Sequence, residues 1–158
     1  MATAMGCVLV CAHATAASTD SDDAALFGAL ETVNHAALSP SGRFIVYTGP
    51  GTGGGSKAVI VDPAKRTTRT VARADGNPLR LSWCGWSAEN RLVCQSYGML
   101  TLNGQLSYFT RLFTMGADGS DPARLGERES SNQLGERQYD ADVIDWLNGA
   151  TAEVLLSC

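Results

Sequence analysis

Cys84 and Cys94 lie within LSWCGWSAENRLVCQ (Leu81 to Gln95), which also holds Trp83 and Trp86, two of the chain's three tryptophans. A thiol can bind a metal, exchange disulfides, attack an electrophile or join a second thiol, and each use demands different company. Structural zinc takes about four ligands, with cysteines spaced two to four residues apart and histidine often among them. Cys84 and Cys94 are too widely spaced for that, and the two histidines, His13 and His35, are far away in sequence. No Cys-x-x-Cys redox motif is present, and a nucleophilic thiol would need a base for which there is no candidate.

Geometry is the remaining explanation. If the residues before and after SAEN are antiparallel partners, Cys84 and Cys94 stand nearly opposite each other. Directly opposed residues bring their Cβ atoms within ~5 Å, near what a disulfide requires. Two buried free thiols would also fit this placement, and an oxidising compartment favours the bond. Trp83 and Trp86 then read as packing between structural units.

The remaining candidates lead to no catalytic chemistry. GPGTGGGSK contains a formal G-x-G-x-x-G at Gly49, Gly51 and Gly54, but it runs into AVIVDP, a strand pattern. Dinucleotide binding needs a helix there, whose N-terminus meets the pyrophosphate. ADGSD (Ala117 to Asp121) is too short for a calcium loop and reads as a hairpin turn. No G-x-S-x-G nucleophile elbow occurs. No catalytic residue, metal ligand or cofactor is therefore assigned, and substrate-binding residues stay unassigned.

The elements that must hold these residues are strands. RFIVYT alternates Phe44 and Val46 against Ile45 and Tyr47, and a turn SPSG precedes it. A buried-looking strand at Ala58–Val61 and a more polar one near Thr68–Ala72 complete a four-strand meander. The order then restarts: PLRLSWCGW, SAEN, RLVCQSY, SYFTRLFTM and ARL, with a third opening in DVIDWLNGATAEVLLS. ALSPSGRFIVYT, WCGWSAENRLVCQS and IDWLNGATAEVLLS share an apolar strand, a small polar turn and a second apolar strand, with Pro40, Trp86 and Trp146 at comparable places. Four-stranded units recurring every ~40–50 residues predict β-propeller blades. The expected class is all-β: blade one at about 34–74, blade two at about 78–126, and the start of a truncated third at about 140–158.

The chain's 158 residues suffice for one domain with a core, and 44% hydrophobic with 18% charged residues is ordinary for a folded protein. A net charge of −4 with scattered basic residues offers no footprint for nucleic acid. Residues 1–17 form an uncharged, apolar segment ending in Ala14-Thr15-Ala16, read as a signal peptide despite the missing early Lys or Arg. Residues 18–33 read as an acidic linker and a short amphipathic helix with Leu26, Phe27, Leu30 and Val33 on one face. No other apolar run approaches the ~20 residues of a membrane span, so a periplasmic or secreted location is expected.

These motifs carry a resemblance. ALSPSGRFIVY is similar to the blade-opening motif of propellers in the prolyl oligopeptidase family of serine peptidases and in Tol-system periplasmic propellers. RLFTMGADGSDPARL resembles the segment with which both groups close a blade. LRLSWCGWSAENRLVCQSYG and DVIDWLNGATAEVLLS resemble more closely the N-terminal propeller of exported bacterial dipeptidyl and acylaminoacyl peptidases. The resemblance runs from about Phe27 to the C-terminus. It implies a substrate-gating propeller stacked on a C-terminal α/β-hydrolase domain that carries the Ser, Asp and His and cleaves peptides. That domain is missing from these residues. A non-catalytic, protein-binding propeller of the Tol type is the alternative.

Overall fold

The structure is a computed structural model, and it describes residues 31–126, 138–147 and 151–157, all within one compact unit, Glu31–Cys158. Strands β1 (His35–Leu38), β2 (Ile45–Pro50), β3 (Ser56–Asp62) and β4 (Thr67–Ala74) form one antiparallel sheet in chain order. β5 (Arg80–Ala88), β6 (Arg91–Leu102), β7 (Gln105–Gly116) and β8 (Ala123–Leu125) form a second with the same order. β9 (Val143–Asp145) and β10 (Leu155–Leu156) pair antiparallel in a third sheet. Among the described residues the all-β expectation holds as three antiparallel sheets of four, four and two strands.

Local chemistry explains the first meander. In the SPSG turn, Ser39 Oγ accepts from Phe44 N at 3.1 Å, and Gly42 N donates to Ser39 O at 2.8 Å. Gly42 adopts a φ of 72°, which costs a residue without Cβ little. The period-two pattern then buries Val46 and Thr48 together on one face of β2. β3 is buried almost throughout and β4 is largely exposed, as their compositions predict. At the glycine-rich loop, only a three-residue 3-10 turn (Thr52–Gly54) intervenes before β3, so the helix that a dinucleotide motif requires is not there.

One face of the first sheet meets one face of the second. Val46, Ala58 and Ile60 interdigitate with Leu81, Trp86, Leu92 and Met115, each 6% exposed or less. Fully burying a side chain the size of Val46 or Leu92 contributes about 1.5–3 kcal/mol. Polar links cross the same seam. Thr48 Oγ1 donates to Ser82 O at 2.9 Å, Leu81 N donates to Ser56 Oγ at 2.6 Å, and Arg69 Nη2 donates to Ala117 O at 2.7 Å. The first two satisfy groups that burial would otherwise leave costly.

The N-terminal expectation needs one correction. Glu31–Val33 is not helical, and Val33 is 48% exposed. Asn34 N already donates to Thr48 O at 2.8 Å, so the chain is extended along β2 by this point. Leu26, Phe27 and Leu30, like the expected signal peptide at 1–17 with His13, lie outside the described residues. Among the described residues no helix is long and apolar enough to cross a membrane.

Candidate functional site

Cys84 and Cys94 are cross-strand partners in the β5–β6 ladder and are joined by a disulfide, with their Cα atoms 4.1 Å apart. The alternation of β5 and β6 turns both sulfurs toward the first sheet, where the two residues are 1% and 0% exposed. The bond therefore sits inside the seam between the sheets. Closing a loop of this length contributes about 3 kcal/mol in the chain-entropy account. It fixes the register of the strand pair that carries both Trp83 and Trp86.

The tryptophans divide the work. Trp86 is buried, its ring 6.3 Å from that of Phe44 and nearly parallel to it, and its Nε1 donates to Ala37 O at 3.2 Å. It packs between the sheets, as its position suggests. Trp83 is only partly buried and points to a cleft instead. Its ring centroid lies 6.4 Å from that of His35 and 6.0 Å from that of Trp146.

That cleft has a volume of about 730 Å³ and opens along β1, β5 and the start of β9. Four aromatic residues (His35, Trp83, Trp86 and Trp146) line it, along with the apolar Leu38 and Val143 and the carboxylate residue Asp142. The Trp146 indole lies directly over Gly85: a Cβ at that position would come within 2.7 Å of Cζ2. Only glycine lets the ring seat there. Trp83 and Trp146 meet edge to face at 76°, a favoured aromatic geometry.

A second contact joins the two meanders at their opening turns. Glu89, in the SAEN turn, accepts from Ser41 Oγ at 2.7 Å, from Ser41 N at 3.1 Å and from Ser39 Oγ at 3.2 Å. The hydrogen bond from the Ser41 side chain is the main reason its carboxyl is held below the ordinary glutamate range. The SPSG motif is thus bound by a carboxylate from the next unit. Asp118 has a local role of the same kind. It accepts from Ser120 Oγ and N at 2.6 and 2.9 Å and organises the ADGSD turn.

Sequence reasoning pairs Cys84 with Cys94 but overlooks the ring cluster, because His35, Trp83 and Trp146 are separated by 48 and 63 positions. It also assigns no role to Asp140, which falls at the expected start of the third unit. Asp140 is 9% exposed, its Oδ2 accepts from Leu112 N at 2.8 Å, and Arg124 Nη2 lies 3.7 Å from its Oδ1. It continues the β7 edge just where β8 stops. Glu89 could have been found from the paired turns: SPSG offers two hydroxyls and SAEN one carboxylate. Compared with protein-family models, curated proteins and solved structures, the chain matches none of them.

Proposed function

We propose that this chain is the N-terminal propeller portion of an exported serine peptidase of the prolyl oligopeptidase family, and that its role is to gate peptide access to a hydrolase domain. The observation that carries the reading is the repetition. Two consecutive four-stranded antiparallel meanders have first strands, β1 and β5, in contact, and a third strand pair begins with Trp146 seated on Gly85 of β5. Such a series of sheets, each packed on its predecessor, is how propeller blades bury their faces. The first strands of successive blades then line a central channel, and the cleft opens along those strands.

In this reading the chain performs no chemistry. Peptide hydrolysis needs an activated serine, its base and an oxyanion hole, and these belong to the C-terminal α/β-hydrolase partner. The peptide substrate meets the propeller first, in the periplasm or outside the cell. One observation favours a protein-binding propeller instead: the β6–β7 hairpin exposes Met99 at 58% and Leu106 at 76% on one face. Sequencing the coding frame beyond the Cys158 codon separates the two. A hydrolase domain containing G-x-S-x-G is expected, and further blades followed by a stop codon would overturn the peptidase reading.

A further inference from the structure

We propose that the cleft along β1, β5 and β9 binds the cationic side chain of a peptide, a lysine ammonium or an arginine guanidinium, in the corner between Trp83 and Trp146. The inference rests on the peptide-handling role proposed above and adds the class of side chain selected. It starts from the angles between the rings. At 76° the two indoles offer no slot in which a flat neutral ring could be sandwiched. They offer two walls at nearly a right angle, and His35 adds a third ring tilted 50° from Trp83. Converging aromatic faces attract a cation through their negative quadrupoles, with indole the strongest.

The charges around the cleft agree with this. Asp142 is an exposed carboxylate on the lining, and neither lysine nor arginine lines the cleft. The Asp142 backbone is held on both sides of its Cα, its N donating to Ser157 Oγ and its O accepting from Ser157 N, each at 2.9 Å. Its carboxylate has no hydrogen-bond or ion-pair partner among the described residues. An anionic ligand would meet a carboxylate and ring faces of the wrong sign. Metal capture lacks its ligands, since the described residues hold no group of three His, Cys, Asp or Glu side chains able to share an ion. Both walls are tied to β5: Trp83 adjoins the disulfide-bonded Cys84, and Trp146 is seated on Gly85.

The test titrates the oxidised full chain with acetylated, amidated Ala-Arg-Ala and with the same peptide carrying citrulline, which keeps the shape and removes the charge. Calorimetry and tryptophan fluorescence report binding. The arginine peptide is expected to bind saturably, with the citrulline peptide about tenfold weaker. Asp142→Asn, at an exposed position, should narrow that difference without abolishing it, and Trp83→Leu should weaken the arginine peptide about tenfold. Should Trp83→Leu fail to fold, Asp142→Asn and the peptide pair decide alone. Equal affinity for the two peptides would overturn the cation assignment while leaving a peptide-handling propeller in place. Absence of saturable binding by either peptide would overturn the inference itself; the identity of the partner domain is settled separately by the coding frame.

Discussion

Glu89 shows how one exposed carboxylate can serve two units. It accepts three hydrogen bonds from Ser39 and Ser41 in the preceding opening turn, and its carboxyl is held below the ordinary range chiefly by the Ser41 hydroxyl. The unfolded chain therefore takes up a proton at higher pH than the folded one. The stability this supplies is whole above the ordinary value near pH 4.3 and fades as pH falls through the lower folded value. Because the group is exposed and screened, Glu89→Gln should cost under about 1 kcal/mol at neutral pH. Thermal melts of both proteins from about pH 7 to about pH 3 check this: the gap should narrow on acidification, and a constant gap would contradict it. Asp140 is the buried counterpart. Asp140→Ala leaves the Leu112 N–H without its acceptor, so urea unfolding should show a loss of about 1–3 kcal/mol. Asp140→Asn, which keeps an acceptor oxygen, should lose less.

The strand pair β5–β6 is the element on which the rest depends, because it is the only described pair whose register is locked covalently. Replacing both cysteines, Cys84→Ala with Cys94→Ala, removes a constraint worth about 3 kcal/mol. That corresponds to a fall of roughly 10 °C in Tm for a domain of this size, readable by calorimetry. Peptide mapping without reduction should recover residues 84 and 94 in one linked fragment. The opposite face of β5 carries the other dependency. Gly85→Ala drives a methyl group into the Trp146 ring, and relief of such overpacking costs about 1–3 kcal/mol. Unfolding curves should register that loss, and a changed tryptophan emission should accompany it as the indole leaves its seat. An unchanged emission would mean that Trp146 does not rest there. The pairing of Cys84 with Cys94 was legible because a two-strand ladder is a local object, set by the turn between its arms. The contact of Trp146 with Gly85 was not, since it depends on how a strand 61 positions later returns to the sheet.

At the scale of the molecule the same divide holds. Strand periodicity and turn chemistry reveal the two meanders, because alternation in β2 and the SPSG turn act over a few residues. They do not reveal the seam between the sheets, where Thr48 meets Ser82 and Ser56 meets Leu81 across 34 and 25 positions. Nor do they reveal the cleft, since no local pattern announces that His35, Trp83 and Trp146 converge. We propose that the two meanders belong to a gating propeller whose chemistry is supplied by a hydrolase domain. The most direct measurement is to capture the native polypeptide carrying these residues from its host's exported proteins with an antibody to this chain, and to treat it with a serine-directed fluorophosphonate. A labelled polypeptide well above the 16.6 kDa of this chain is expected, while the chain expressed alone stays unlabelled. A captured polypeptide that takes no label, or specific labelling of the isolated chain, would contradict it.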